Sequence, residues 1–189
     1  MKVIDASGWQ EDLDYDEVVA KGVEGVIIKI SEGTEIDDMY RSHLENCISH
    51  GLKWGVYCFA HAENDDEARA EAEALIDELD GSVPPLGIWY DVEAKDILNC
   101  PNPTAVCSAF IVRCNEENLS AGIYASLSTL EDIIDVDQLA DYVPYWVAQY
   151  GVRACEFKDD YPDKHLSGWQ YTDREYIGST EVDMNKWYD

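Results

Sequence analysis

Short apolar runs alternate with longer segments of helical periodicity through the first two thirds of the chain. Five of these runs are rich in β-branched residues and predict strands at residues 2–6, 25–31, 54–60, 86–92 and 121–126. The segments between them predict helices at residues 15–21, 38–50, 65–79 and 102–118, and one within 127–142. This alternation of strand and helix indicates a parallel sheet with its helices packed outside it.

The last third of the chain keeps the strands but loses the helices. Residues 145–150, 168–172 and 182–186 predict three more strands, and the stretches between them show no convincing helical period. Eight strands with five helices predict an α/β fold, an incomplete TIM-like barrel that is shorter than the ~250 residues typical of the complete fold. No repeat or linker divides the chain, so we expect residues 1–189 to form a single domain.

Acidic residues dominate the composition: 40 Asp and Glu face 13 Lys and Arg, which gives a formal charge of −27 at pH 7. This charge argues against binding to nucleic acid and to anionic membranes. The apolar runs are far too short to span a bilayer. Much of the charge falls on the helix predicted at 65–79, whose seven acids face a single Arg69 and a separate apolar stripe. All seven are expected on a solvated outer face: Asp65, Asp66, Glu67, Glu71, Glu73, Asp77 and Glu78.

The cysteines and the N-terminus bear on the compartment of synthesis. No two of the six cysteines form a C-x-x-C pair, and Cys107 and Cys114 share one helix face with Phe110 and Ile111. Reduced thiols in the core are therefore expected, although disulfides are an alternative. No basic segment followed by an apolar stretch opens the chain, so no signal peptide is visible. These features predict synthesis in a reducing cytosol.

Carboxylates lie where the predicted strands end. Asp5 closes the first strand, Glu32 follows the second, Asp91 and Glu93 close the fourth, and Asp183 lies in the eighth. In barrels of this class the active site forms at the carboxyl ends of the strands. Four distant segments would therefore bring acids to one end of the barrel.

Asp91 and Glu93 form the strongest local signal. Strand alternation points both side chains to one face, with Val92 on the other. Such a pair suits hydrolysis of a glycosidic bond, in which one acid protonates the leaving oxygen and another stabilises or attacks the sugar cation. The alternatives are an acid pair that caps a loop and, for the whole cluster, a calcium or magnesium site.

Aromatic residues accompany the acids, in or just after strands, where they could stack on sugar rings or fill the barrel. They are Trp9, Tyr57, Phe59, Trp89, Tyr124, Trp146 and Trp169. We assign Glu32, Tyr57, Phe59, Tyr124, Trp146 and Trp169 to substrate binding. Other chemistries lack support, because the chain has no G-x-S-x-G, P-loop or H-E-x-x-H motif. His61, after the third strand, is interpreted as a polar residue at the rim.

Eight motifs in order make the chain resemble the muramidases of glycoside hydrolase family 25, the Chalaropsis-type lysozymes. The resemblance runs from Val3 to about Trp187. Its motifs lie at residues 4–10, 25–34, 51–60, 90–93, 122–126, 145–150, 169–172 and 182–185. Any one of these is weak, whereas eight in the right order are highly specific.

The resemblance implies a flattened (β/α)5β3 barrel that cleaves the β-1,4 bond between N-acetylmuramic acid and N-acetylglucosamine of peptidoglycan with retention of configuration. Glu93 matches the proton donor of the family. Asp91 matches the neighbouring acid, which acts as nucleophile or steadies the acetamido group of the substrate. Asp5 and Asp183 match two further acids that line the pocket. No metal and no organic cofactor is implied.

Three departures from the family pattern stand out. Cys58 replaces the usual histidine between Tyr57 and Phe59, but it should point away from the site. Ser31 replaces a threonine before Glu32, which is a mild change. Bulky Trp89-Tyr90 could alter the pocket wall.

Three hypotheses remain for function: an active muramidase, a catalytically silent peptidoglycan-binding barrel, or a metal-binding scaffold. For the first, the absence of a visible signal peptide favours a phage or prophage endolysin that is made in the host cytoplasm and acts on the cell wall. A secreted autolysin is the alternative. A separate wall-binding module could accompany the chain.

Overall fold

Eight strands close into a barrel in the computed structural model, which describes residues 1–188. A ninth strand is a two-residue hairpin partner outside the barrel. The strands are β1 (Lys2–Ala6), β2 (Gly25–Glu32), β3 (Glu35–Ile36), β4 (Lys53–Phe59), β5 (Ile88–Asp91), β6 (Ala121–Ser126), β7 (Pro144–Ala148), β8 (His165–Ile177) and β9 (Thr180–Trp187). The barrel order is β1-β9-β8-β7-β6-β5-β4-β2, and parallel pairing of β1 with β2 closes it. The short β3 pairs only with β2.

Seven barrel strands run parallel, and β9 lies antiparallel to both of its neighbours, β8 and β1. The carboxyl ends of the seven parallel strands therefore share one end of the barrel. Because β9 runs the other way, its N-terminal half lies at that end. Asp183 lies there, since it pairs in register with Asp5 near the end of β1.

The helices are α1 (Tyr15–Ala20), α2 (Tyr40–Ser49), α3 (Asp65–Leu79), α4 (Lys95–Asn99), α5 (Pro103–Glu116), α6 (Leu127–Asp132) and α7 (Phe157–Asp160). The two longest begin at side-chain caps: Asn64 accepts from the backbone N–H of Glu67, and Asn102 accepts from that of Ala105. Such caps satisfy N–H groups that have no partner within the helix. Among residues 1–188, no helix combines the length and the apolar character needed to cross a bilayer.

Strand alternation divides the apolar residues into two layers. One fills the barrel and includes Val3, Ile27, Trp89, Trp146 and Trp187. The other lies between the strands and the helices and includes Ile4, Val26, Ile28, Leu75 and Phe110. Gly168 makes room for the inner layer, because a Cβ there would lie 2.4 Å from the Trp187 ring. The barrel interior is thus a packed core below the end where the strands terminate.

The predicted (β/α)5β3 class is confirmed, with differences in the bounds. The eighth predicted strand, 182–186, lies within β9, and the seventh, 168–172, covers less than half of β8. Three short elements were missed: β3, α4 and α7. They have only two, five and four residues, which is too short for a period to emerge. In the segment 127–142, only α6 and a 3-10 turn at Val136–Gln138 are helical.

Two acids of α3 depart from the solvated face to which they were assigned: Glu78 is half-buried and pairs with Arg41, and Glu71 is buried. Glu71 is 4% exposed; it accepts the hydroxyl of Tyr90 at 2.5 Å and the backbone N–H of His61 at 2.9 Å. Burial raises its pKa, and the hydrogen bonds from Tyr90 and the backbone act against that rise. Glu71 therefore ties α3 to β5 and to the loop that follows β4.

All six cysteines are free thiols, five of them buried and Cys155 half-buried. Cys107 and Cys114 lie on the buried face of α5, as predicted. Burial raises the pKa of Cys47 to about 12, so this thiol stays protonated. The cysteines act as small apolar core residues.

Candidate active site

A cavity of about 320 Å³ opens at the carboxyl ends of the barrel strands. Its lining comprises Asp5, Trp9, Lys29, Glu32, Tyr57, Phe59, Asp91, Glu93, Tyr124, Trp146, Gln170 and Asp183. All four acids predicted to be catalytic are present, together with five of the six residues assigned to substrate binding. Strands that are distant in sequence bring these side chains together because they run parallel and end at the same height.

Asp91, the last residue of β5, lies at the bottom of the cavity. It is 5% exposed, and its Oδ1 has no hydrogen-bond partner among the described residues. Burial raises its pKa well above 3.8, and the negative charges of Glu93 and Asp5 raise it further. The positive charge of Lys29 partly counteracts these effects. An unpaired carboxyl oxygen in this position can accept a hydrogen bond from a ligand or bind a developing positive charge.

Glu93 follows two residues later, after β5 has ended, and its carboxyl group is solvent-accessible at the cavity mouth. Partial desolvation by the surrounding protein raises its pKa, and the negative charge of Asp183 adds to the rise. Val92 is fully buried on the opposite face. The predicted geometry of the D-x-E pair, with both acids on one face, is therefore confirmed. A carboxyl group with a raised pKa at an accessible position is suited to donate a proton.

Asp5 and Asp183 face each other from β1 and β9. Asp5 accepts hydrogen bonds from the side chain of Asn185 at 2.8 Å and of Gln170 at 3.2 Å. Burial raises the pKa of Asp5 to about 6 despite these bonds. Burial, followed by the charge of Asp5, raises the pKa of Asp183 to about 7. The pair cannot be doubly ionised near neutral pH without a large electrostatic cost.

Besides Trp9, four aromatic side chains form the apolar part of the lining. The rings of Tyr124 and Trp146 lie 4.1 Å apart, and Tyr57 meets Trp146 edge-on at 6.4 Å. Trp146 is 1% exposed and donates its indole N–H to Asn185 at 2.7 Å, so it mainly packs the barrel interior. Tyr57 and Phe59 are half-buried and offer accessible ring surface.

Trp169 does not line the cavity, contrary to its assignment to substrate binding. Alternation along β8 places the adjacent Gln170 in the barrel, so Trp169 points away from it. Its indole N–H donates to the carbonyl of Gln149 at 2.8 Å, and its ring packs beside that of Tyr171. Trp169 is a structural residue of the barrel exterior.

Three lining residues were not assigned to the site from the sequence: Trp9, Lys29 and Gln170. Trp9 is 88% exposed and stands in a 3-10 turn directly after β1. Lys29 interrupts a largely apolar strand, and such a break in the pattern indicates a charge that faces into the barrel. Gln170 lies within the motif at residues 169–172, but that motif does not predict which residues it bonds to.

The turn that carries Trp9 is fixed by side chains at both ends. Ser7 caps it and exchanges hydrogen bonds with Gln10, and Asp37 accepts from the backbone N–H of Gly8 at 3.1 Å. The buried ring of His43 contacts the carbonyl of Ser7 at 3.0 Å. A fully exposed indole is thus held in a defined position at the edge of the cavity.

His61 lies at the rim, as predicted. Its Nδ1 is 2.7 Å from Asp96 and its Nε2 is 3.3 Å from Glu32. The hydrogen bond with Asp96 is the main reason that the pKa of His61 is raised. Glu32 in turn accepts from Lys29 at 3.0 Å, and this bond lowers the pKa of Glu32. These contacts link the end of β2, the loop after β4 and α4 beside the cavity.

The residues that depart from the family pattern do not line the cavity. Cys58 is fully buried and points away from the cavity, as predicted. Trp89 could have altered the wall, but its ring lies against Trp187 inside the barrel, and its N–H donates to the carbonyl of Leu86 at 2.8 Å. Tyr90 points outward to Glu71.

Within residues 1–188, no group of three or more His, Cys, Asp or Glu is arranged to hold a metal ion. Of the cavity acids, Asp5 accepts from the amides of Gln170 and Asn185, and Asp183 accepts from that of Gln170. The arrangement can bind an uncharged polar molecule, donate a proton from Glu93 and stabilise positive charge at Asp91.

Comparison with known proteins gives a consistent result. The family profile described as "Glycosyl hydrolases family 25" matches residues 4–180. The "Autolytic lysozyme" of Clostridium acetobutylicum is 26% identical over 188 residues, which cover 97% of this chain but only 55% of that relative. The chain thus spans about half the length of this relative.

Two solved structures share the fold over essentially the whole chain. The catalytic domain of endolysin ply40, from bacteriophage P40 of Listeria monocytogenes, matches with a TM-score of 0.82 and 25% identity, covering 100% of this chain and 93% of that one. The modular autolysin LytC of Streptococcus pneumoniae, in complex with a synthetic peptidoglycan ligand, also matches with a TM-score of 0.82 and 25% identity. That match covers 99% of this chain and 46% of LytC.

Proposed function

The chain belongs to the glycosyl hydrolases of family 25, and we propose that it is a muramidase. It cleaves the β-1,4 bond between N-acetylmuramic acid and N-acetylglucosamine in bacterial peptidoglycan. The observation that carries this proposal is the convergence of Asp5, Asp91, Glu93 and Asp183 on one cavity at the barrel mouth. The named relatives are lysozymes, autolysins or endolysins, which supports the same substrate.

Glu93 is the general acid. It is the accessible member of the D-x-E pair, and desolvation together with the charge of Asp183 raises its pKa, which favours the protonated form that an acid catalyst needs. It protonates the glycosidic oxygen as the C–O bond breaks, and the bond electrons leave with that oxygen. It then takes a proton from the water that attacks the anomeric carbon.

Asp91 acts on the sugar that acquires positive charge. Its unpaired Oδ1 lies at the bottom of the cavity, where no other side chain satisfies it. In its ionised form, which Lys29 favours, it either attacks the anomeric carbon or orients the acetamido group of the substrate for that attack. Both routes pass through a first inversion and a second one, and so give retention of configuration.

Asp5 and Asp183 lie beside Glu93, and their negative charge affects how tightly Glu93 holds its proton. The rings of Tyr57, Phe59 and Tyr124 provide apolar surface for the sugar faces, and Glu32 offers an acceptor at the rim. A neutral glycan suits this cavity, because its hydroxyl and amide groups can satisfy the carboxylates without adding charge.

We further propose that residues 1–189 form one catalytic domain acting on the cell wall as an endolysin, made in the host cytoplasm. The likeness to the ply40 catalytic domain supports this role. A secreted autolysin is the second candidate, which the autolytic lysozyme and LytC favour. Because these two relatives are much longer than this chain, a separate wall-binding module is proposed to act with the domain.

The test is digestion of purified peptidoglycan by the chain and by Glu93→Gln, with Glu45→Gln as the matched control. Glu45 is exposed on α2 and has no role in the cavity. The native chain and Glu45→Gln should release new reducing ends of N-acetylmuramic acid, identified by mass spectrometry. Glu93→Gln should lose at least about 100-fold in rate, because it cannot donate the proton.

Other outcomes distinguish the alternatives. Binding to walls without any new reducing end would support the silent peptidoglycan-binding barrel. Reducing-end glucosamine or free peptide would exclude muramidase activity. Normal cleavage by Glu93→Gln would remove Glu93 from its assigned role.

A further inference from the structure

The side chain of Gln170 is buried at the centre of a hydrogen-bond network behind the cavity. It is 1% exposed. Its Oε1 accepts the hydroxyl of Tyr124 at 2.8 Å and also the hydroxyl of Tyr150. Its Nε2 donates to Oδ2 of Asp5 at 3.2 Å and to Oδ2 of Asp183 at 3.1 Å. Every donor and acceptor site of this amide is therefore used.

The acids and the tyrosines together determine the orientation of the amide. A tyrosine hydroxyl can donate or accept, but a carboxylate can only accept. If the amide were reversed, its oxygen would face two acids and both would lose a donor. The NH2 group must therefore face Asp5 and Asp183, and the two hydroxyls then fix the oxygen.

The two acids are held close together by the same amide. Oδ2 of Asp5 and Oδ2 of Asp183 both lie within 3.2 Å of Nε2 of Gln170, so two negative charges there would repel each other, and retention of one proton relieves that repulsion. The other groups that face Asp5 are Asn185, which donates to it, and Glu93, Tyr57 and Asp91.

The surroundings of Asp183 are also acidic. Asp173 and Glu181 on neighbouring segments face it, as do Glu93 and Tyr150. No cation pairs directly with either acid of the pair among the described residues. Like charges on all sides favour retention of one proton by the pair.

We infer that Gln170 is a positioning residue that holds Asp5 and Asp183 as a pair sharing one proton, so that a single negative charge stands beside Glu93. One amide hydrogen serves each carboxyl group, and this holds the two acids side by side. This inference rests on the proposed function, since it matters for catalysis only if Glu93 is the proton donor. A second charge on the pair would hold the proton of Glu93 more tightly and slow its release.

The first test needs no catalytic activity, and its titration is read in the native chain. In the native chain labelled with ¹³C-aspartate and ¹⁵N-glutamine, the carboxyl signals of Asp5 and Asp183 are assigned through Asp5→Asn and Asp183→Asn. The two Nε2 hydrogens of Gln170 should respond to pH at the same midpoint as these carboxyls, and should exchange slowly with water. Gln170 hydrogens that do not follow the titration of the pair would overturn the inference.

The second test changes the amide. Gln170→Glu places a third carboxyl group against the pair, and Gln170→Leu removes both donors, so both variants should raise the titration midpoint of the pair by about one unit or more. Gln138→Glu, at an exposed amide that bonds only to Asp135 in its own turn, should leave the midpoint unchanged. The inference would also be overturned if Gln170→Leu folds and its Asp5–Asp183 pair titrates at the same midpoint as in the native chain.

Kinetics then connect the pair to Glu93. In Gln170→Glu, the pH profile of kcat should shift upward on its alkaline side, with kcat at neutral pH reduced roughly 10-fold and KM altered much less. A purely structural role would lower the folded fraction and leave the shape of the profile unchanged. If the native chain cleaves no peptidoglycan, the proposed function fails, while the NMR titration still decides the role of Gln170.

Discussion

Replacing Asp5 with asparagine should make the protein more stable at alkaline pH. The carboxyl group of Asp5 is largely buried, and its pKa rises from 3.8 to about 6 on folding because burial disfavours the charged form. Its hydrogen bonds to Asn185 and Gln170 reduce this rise but do not cancel it. The native site therefore holds a carboxylate whose charge opposes folding.

The sign follows from proton linkage. Between pH 3.8 and about 6, the folded protein retains a proton on Asp5 that the unfolded chain has lost, so the free energy of unfolding falls as pH rises. A shift of this size corresponds to about 3 kcal/mol, at about 1.4 kcal/mol per pKa unit. Because Asp183 shares the proton, we expect Asp5→Asn to recover about 1–3 kcal/mol at pH 8.

At pH 4 the same substitution should change stability little. At pH 4 residue 5 is nearly uncharged in the folded native protein and uncharged in the folded variant. The asparagine oxygen can still accept a hydrogen bond from Asn185 or Gln170. Any remaining difference reflects one altered hydrogen bond, worth about 1 kcal/mol. The informative quantity is thus the change in the stability difference between pH 4 and pH 8.

This change in the stability difference is measured by urea denaturation, followed by tryptophan fluorescence at pH 4 and at pH 8. The control is Asp12→Asn, an exposed acid on the same side of the barrel, which should stay within about 0.5 kcal/mol of the native chain at both pH values. A stability difference for Asp5→Asn that is the same at pH 4 and pH 8 would refute the linkage. If the native chain is more stable than Asp5→Asn at pH 8, the sign of the linkage effect is wrong.

Three further predictions concern the scaffold, the edge of the cavity and the surface charge. Tyr90→Phe should lower the free energy of unfolding by about 1–3 kcal/mol in urea denaturation, because buried Glu71 loses a donor, whereas exposed Tyr176→Phe should have little effect. Trp9→Ala should lower kcat/KM on peptidoglycan about 2–10-fold without changing the unfolding midpoint, because its ring is exposed; unchanged kinetics would remove it from the site. With a net charge of −27, lysis of walls rich in teichoic acid should increase from low to moderate ionic strength, and a steady decrease would contradict the expected repulsion.

The positions of the four acids could be predicted from the sequence because they depend on simple periodicities. Period-2 alternation over residues 91–93 predicts Asp91 and Glu93 on one face and Val92 on the other, and the structure keeps this arrangement although β5 ends at Asp91. The order of strands and helices then predicts a parallel barrel, whose strand ends must meet. The helix caps at Asn64 and Asn102 are likewise local features of the chain.

Errors occurred where a residue's environment depends on segments distant in sequence. Trp9 and Trp169 both lie near strand ends, yet only Trp9 lines the cavity, because Trp169 falls on the outer face of β8. Glu71 looks like the other acids of α3, but the loop after β4 and the hydroxyl of Tyr90 bury it. No local pattern distinguishes these cases.

Local periodicity in the sequence is enough to say which side chains alternate inward and which chemistry they could perform. The pairing of Asp5 with Asp183 exists only in the folded barrel, because it requires β9 to lie antiparallel to β1. The same arrangement of strands brings Gln170 against both acids. Electrostatic coupling depends on distances of a few ångströms between strands, and such distances are set by the register of the sheet rather than by spacing along the chain.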